Sequence, residues 1–173
     1  AVLIETAGAK FLKIQSRFRQ DNGGFYRRKY EDNQRTDQME PLQLRKLSVE
    51  DLVPLRELGL KTFVESFSEG NTAENMQAYV SEAFAPEKLR EELLDPYAVF
   101  YFAILGDRPV GYMKLNFGPS QTELQDEKAV EIERIYVAKE YQGQKLGRQL
   151  FAKALQVARE RQADYIWLGV WEK

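Results

Sequence analysis

Residues 131–173 read EIERIYVAKEYQGQKLGRQLFAKALQVARERQADYIWLGVWEK, and this stretch decides the fold. An apolar strand ends at Val137, and a polar loop containing Gly143 follows. A helix then begins beside Gly147, with Leu146, Leu150, Phe151, Ala154, Leu155 and Ala158 on one face. The short apolar run from Tyr165 to Trp171 is a second strand. A strand–loop–helix–strand run of this kind returns its second strand parallel to the first through a crossover helix. A helix N-terminus reached through a glycine-containing loop offers free N–H groups and the positive end of a dipole, which suits a pyrophosphate. A plain crossover turn uses glycine as well. The loop is neither GxGxxG nor GxxxxGK[ST], so dinucleotide-binding and P-loop readings are disfavoured.

Working outward, the apolar patterning predicts a strand at 42–46 and a helix at 49–67, with Ser48 as N-cap and Glu50 and Asp51 in its first turn. Helices near 72–83 and 86–94 follow a loop around Gly70 and Asn71, the second opening on Pro86. Strands at 98–105 and 109–117 are joined by Gly106-Asp107-Arg108, and Gly118–Lys128 is a polar loop. The strand at 129–137, the helix at 146–162 and the strand at 165–171 complete the series. The fold class is α/β, with a mixed sheet and flanking helices. Met39 opens a stretch that reads as a natural domain start, which divides the chain into an N-terminal extension, 1–38, and a domain, 39–173. Within the extension, Phe11, Leu12, Ile14 and Phe18 form one apolar series, and Asp21-Asn22-Gly23-Gly24 is a turn signal leading to Phe25, Tyr26 and Tyr30. A loose hairpin and a helix followed by a turn both fit.

The chain has 173 residues, enough for one domain with a hydrophobic core; 43% are hydrophobic and 30% charged, a globular mixture. It has no apolar run near the ~20 residues that cross a membrane. Its start, AVLIETAGAKF, lacks the basic region of a secretory signal. The absence of Cys excludes disulfides and thiolate chemistry and suits a cytoplasmic location. The absence of His removes Ser-His-Asp machinery and most transition-metal sites, so no metal is expected. Proton transfer falls to Glu, Asp, Tyr, Lys or water. The overall charge of −2 divides into +3 over residues 1–38 and −5 over the remainder. An acidic body argues against nucleic acid and is compatible with a cationic partner.

Gln142-Gly143-Gln144-Lys145-Leu146-Gly147 resembles motif A of the GNAT N-acetyltransferase superfamily, Q/R-x-x-G-x-G/A. Lys145 stands where the pattern has glycine. The wider phrase, EIERIYV before the loop and IWLGVWEK after the helix, together with ENMQAYVSEAF, resembles the PaiA-like spermidine/spermine N-acetyltransferase branch, and the likeness covers most of 39–173. The resemblance implies a GNAT fold that stops after its fifth strand, and acetyl-CoA as co-substrate. It further implies that the strand matching Glu131–Val137 splays from the strand matching Tyr165–Trp171, with the cofactor entering the wedge. Ile135, Tyr136 and Val137 are then backbone contacts of acetyl-CoA. Gln142, Gly143, Gln144, Lys145, Leu146, Gly147 and Arg148 hold its pyrophosphate, and a backbone N–H near Val137 stabilises the oxyanion.

A polyamine amine is mostly protonated near neutral pH, so a base must take a proton, usually through water. Glu131 and Glu133 lie two apart on a strand and share a face by simple alternation; Glu133 matches the position that serves as base in the polyamine enzymes. The general acid of the superfamily, a tyrosine on a later helix, is expected beyond Lys173. Glu65, Glu69 and Glu74 are acidic candidates for acceptor recognition, although a solvated helix surface explains them as well; Phe63, Phe67, Tyr79 and Phe84 read as core. The expected activity is acetyl transfer from acetyl-CoA to a primary amine, a polyamine favoured, in a possible homodimer. The alternatives are a protein N-terminal or other small-amine acetyltransferase, or a non-catalytic acyl-CoA-binding regulatory module.

Overall fold

The computed structural model describes residues 2–6, 9–14, 41–69 and 71–170, with side chains from Pro41 to Gly169 apart from Gly70. Seven strands form one sheet in the order β1-β2-β7-β6-β5-β4-β3. They are β1 (Val2–Thr6), β2 (Ala9–Ile14), β3 (Leu42–Lys46), β4 (Ala98–Leu105), β5 (Arg108–Phe117), β6 (Ala129–Val137) and β7 (Tyr165–Val170). Among the described residues, the α-helices α1 (Leu52–Phe67), α2 (Ala73–Ala83), α3 (Pro86–Leu94) and α4 (Leu146–Glu160) cover the two faces. All strand pairs are antiparallel except β6–β7, which is parallel and is joined by the α4 crossover. The expected helix at 49–67 starts as a single 3-10 turn, Val49–Asp51. Arg45 locks that turn by donating to both oxygens of Asp51, at 2.7 and 3.0 Å.

Each face of the sheet carries an apolar core beneath its helices, as a covered central sheet requires. On one face, Leu146, Leu150, Ala154, Val157 and Ala158 of α4 pack on Val110, Met113, Leu115, Val130, Ile132 and Ile166. On the other, Leu55 and Leu58 of α1 and Leu89 of α3 pack on Phe100, Phe102 and Tyr112. Phe63, Phe67, Tyr79 and Phe84 form a chain of ring contacts that runs on to Tyr136, with Phe63 and Tyr79 stacked at 4.6 Å. Phe84 is core as expected, whereas Tyr79 is 52% exposed and caps the series at the surface.

The loop between β5 and β6 is pinned at both ends. Gln121 is buried and accepts from the Trp167 indole N–H at 2.7 Å, while its amide donates to the Asp126 carbonyl at 2.7 Å. These bonds fix the closed end of the β6–β7 pair.

Val2–Thr6 and Ala9–Ile14 belong to the sheet. β2 lies antiparallel to β7, from Lys10 opposite Val170 to Ile14 opposite Ile166, and β1 lies outside β2. Phe11, Leu12 and Ile14 of the predicted apolar series are on β2; the predicted turn at 21–24, with Phe18, lies outside the described residues. An apolar strand such as β7 is an aggregation edge when uncovered. Deleting residues 1–14 is therefore expected to lower the Tm by at least about 2–4 °C, the shift that 1 kcal/mol gives at this chain length. It should also produce concentration-dependent association in size-exclusion chromatography. An unchanged Tm and a concentration-independent elution volume would show that β2 does not protect this edge.

Candidate active site

The parallel pairing of β6 with β7 covers only Ala129, Val130 and Glu131, opposite Tyr165, Ile166 and Trp167. Beyond Glu131 the two strands part, while β6 stays paired to β5 as far as Val137. In an antiparallel ladder, successive residues turn their N–H and C=O groups to opposite sides. Ala138 donates to the Val110 carbonyl at 2.9 Å, so Tyr136 also addresses β5, and Ile135 and Val137 turn theirs into the wedge. Tyr136 instead contributes its ring, which contacts Tyr112 at 5.8 Å and Phe67 at 6.4 Å.

At the mouth of the wedge the chain turns through Lys139–Tyr141 into α4. The C-terminal half of α1 holds this turn: Glu65 accepts from the Lys139 backbone N–H at 2.8 Å, and Lys61 pairs with Glu140. Glu65 is thus occupied by the loop, while Glu69 and Glu74 lie exposed. Gln142 donates to the Val137 carbonyl at 3.0 Å, closing the loop on itself. Gly143 has φ +81°, and Lys145, the residue before α4, has φ +63°. Both are left-handed, which is why glycine suits the Lys145 position; a non-glycine residue there costs about 1–2 kcal/mol. Among the described residues no side chain caps α4, which leaves its first N–H groups available beside the exposed cations Lys145 and Arg148. A Cβ added at Gly143 or Gly147 would meet no atom within 4 Å. Open glycines, uncapped amides and two cations make a cradle that fits a pyrophosphate.

Behind the wedge, on the face covered by α1 and α3, lies a buried charge network. β6 carries a bulge: Lys114 faces Arg134 and Leu115 faces Ile132, which leaves Glu133 as the extra residue. The bulge reverses the alternation. Glu131 before it and Arg134 and Tyr136 after it occupy one face, and Glu133 reaches that face too. Lys114 binds Glu133 at 2.6 Å and Glu92 at 3.1 Å, and Arg134 binds Glu133 at 3.0 Å and Glu92 through both terminal nitrogens at 3.0 Å. Asn116 donates to Glu133 at 2.6 Å and to Glu131 at 3.0 Å. Glu131 also accepts from the Thr122 hydroxyl and, at 2.9 Å, from the Thr122 backbone N–H.

The two carboxylates differ in kind. Glu131 is 2% exposed, and burial pushes its carboxyl above the usual range against the hydrogen bonds from Thr122 and Asn116. Burial also pushes Glu133 upward. There, however, the charges of Arg134 and Lys114 and the bonds from Lys114 and Asn116 outweigh it and hold the carboxyl below its usual value. The Glu133 side chain retains 18% exposure.

The chain matches the acetyltransferase (GNAT) family model over residues 60–173. It belongs to that family. Over 134 residues, or 78% of each chain, it is 34% identical to an uncharacterised N-acetyltransferase encoded in the pepI 3′ region of Lactobacillus delbrueckii subsp. lactis. It is 23% identical to a spermidine N(1)-acetyltransferase of Thermoplasma acidophilum, over 69% of this chain and 72% of that one. Its fold resembles the PaiA N-acetyltransferase of Thermoplasma acidophilum solved with coenzyme A, with a TM-score of 0.63 at 22% identity, covering 71% and 75% of the two chains. This GNAT chain is an acetyl-transferring enzyme of a family that uses acetyl-CoA.

Glu92, Lys114 and Asn116 escape a reading of the sequence by motif. The signal lies in PVGYMKLNF, where Tyr112, Lys114 and Asn116 alternate with apolar residues in a strand too buried for a solvated polar face. Gly147→Asp tests whether this loop receives the pyrophosphate, separately from folding. A side chain at 147 meets open space, and a carboxylate in the first turn of a helix is tolerated. The free variant should therefore keep its Tm within a few degrees. Acetyl-CoA at 100 times its Kd should stabilise the parent by about 2.7 kcal/mol and the variant not at all; a retained thermal shift would remove the pyrophosphate from this loop.

Proposed function

We propose that this enzyme transfers the acetyl group of acetyl-CoA to a primary amine, with a polyamine such as spermidine or spermine as the favoured acceptor and Glu133 as the base. The parting of β6 from β7 beside an uncapped helix N-terminus carries the reading. Gln142 to Arg148 would receive the pyrophosphate at the α4 N-terminus. Ile135 with its backbone groups and Val137 with its N–H would meet the pantetheine arm, the Val137 carbonyl being taken by Gln142, and Tyr136 would border it with its ring. The Val137 N–H would also support the oxyanion as the thioester carbonyl becomes tetrahedral.

An ammonium cannot attack a thioester until it loses a proton. Glu133 is ionised and partly open, and in this reading it takes that proton through water. Glu131 is the less suitable of the pair, since Thr122 and Asn116 occupy it deep in the sheet. The polyamine preference rests on the charge of −5 over residues 39–173 and on the resemblance to the spermidine N(1)-acetyltransferase.

Thiol release from acetyl-CoA, measured across spermidine, spermine, an N-terminal peptide and an aminoglycoside, tests the acceptor class. The highest kcat/KM is expected for a polyamine, and a higher value for the peptide would move the enzyme to the protein-acetylating alternative. Glu133→Gln should lower kcat by about 10²–10⁴-fold with little change in acetyl-CoA affinity. The acid limb that reports Glu133 should lie below pH 4.5, the ordinary value of its carboxyl, and be absent from that variant. Glu131→Gln should lower the Tm while leaving kcat far less affected. The reverse pattern would pass the role to Glu131.

A further inference from the structure

Asn116 is an unusual choice for the middle of the sheet. It is fully buried on β5, directly opposite Glu131, between apolar neighbours Leu115 and Phe117. Its two amide hydrogens go to two different carboxylates, Glu131 at 3.0 Å and Glu133 at 2.6 Å. Its Oδ1 has no hydrogen-bond partner among the described residues. The reversed amide would set that oxygen against two carboxylates, so the observed orientation is the one the chemistry allows. An orphaned buried acceptor is costly, and two carboxylates sharing one amide repel each other. An apolar residue on β5 would avoid that cost only if both carboxylates were replaced as well. The arrangement makes sense when the amide holds something whose position matters more than the energy lost.

We propose that Asn116 is a positioning residue for the base: its amide clamps Glu133 against the fixed point of Glu131, so that the carboxylate meets the acceptor amine in one orientation. This rests on the reading of Glu133 as the base. Glu131 is suited to be the fixed point because Thr122 anchors both its oxygens. Glu133 is the extra residue of a bulge, so the ladder does not set its side chain; Lys114 and Arg134 hold its two oxygens by charge, and Asn116 adds a directional bond from the amide that Glu131 fixes. The other groups facing it are Lys114 and Tyr112 from β5, Arg134 and Tyr136 from β6, and Glu92 from α3 through its two shared cations. Those cations neutralise Glu133. Asn116 is uncharged, so it can hold the carboxylate without altering the charge of the site.

The test uses Asn116→Ser, which cannot donate to both carboxylates at once, and Asn116→Asp, which adds a third carboxylate at nearly the same shape. Carbon-detected NMR titration of the glutamate carboxyls reads the clamp, with Glu133→Gln assigning the resonance. The Glu133 midpoint should move up in both variants, further in Asn116→Asp. The kcat should fall at least tenfold, while KM for acetyl-CoA stays within twofold. Each variant is decisive by itself, so the failure of one to fold leaves the other as the test. A folded variant whose Glu133 midpoint and kcat match the parent overturns the proposal. So does one whose kcat falls with an unmoved midpoint. Full activity in Glu133→Gln would instead remove the base reading, a result the titration does not depend on.

Discussion

The parting of β6 and β7 after Glu131 is the constraint on which the rest of the molecule depends. A buried strand that loses its neighbour must satisfy its N–H and C=O groups in another way, because unpaired backbone in a protein interior is costly. Here the end of β6 stays paired to β5, so every second residue is satisfied internally and only Ile135 and Val137 address the opening. The same parting allows the loop after Val137 to turn outward and start α4 with its amides free. One local departure from regular sheet geometry therefore creates both an extended backbone surface and an anion-binding helix end.

Keeping β6 and β7 apart requires fixing them elsewhere. At the closed end, Gln121 bridges the Trp167 indole and the Asp126 carbonyl, and Thr122 binds Glu131. At the open end, Lys61 and Glu65 of α1 hold the turn that follows β6. The surface pair Lys61–Glu140 contributes little by itself; the bond from the Lys139 backbone N–H to Glu65 gives the loop its position. The loop then adopts two left-handed residues, one of them a lysine, which stands beside the exposed amides.

The charge network behind β6 is the costly part of the structure. Burying ions is unfavourable unless they are paired and hydrogen-bonded, and replacing such networks by apolar residues often stabilises a protein. Glu92, Lys114, Arg134 and Glu133 satisfy one another almost completely. Asn116 and Glu131 extend the network to the β5–β6 loop. The bulge at Glu133 makes this possible, because it brings residues of both parities to one face.

Most of the element series was legible in the sequence. The strands at 42–46, 98–105 and 129–137 and the helix at 86–94 have the predicted limits, because apolar periodicity and turn residues act locally. The crossover from β6 through α4 to β7 was legible for the same reason, as was the glycine-containing loop. Three things needed the tertiary structure. Simple alternation separates Arg134 from Glu133, and only the pairing of β6 with β5 shows the bulge that reunites them. Lys114 and Glu92 are ordinary charged residues in sequence, and only the packing of α3 on the sheet makes them partners of Glu133. The place of β2 beside β7 joins segments more than 150 residues apart. Local patterning specifies which residues form strands; which strands become neighbours depends on long-range pairing that no window of sequence contains.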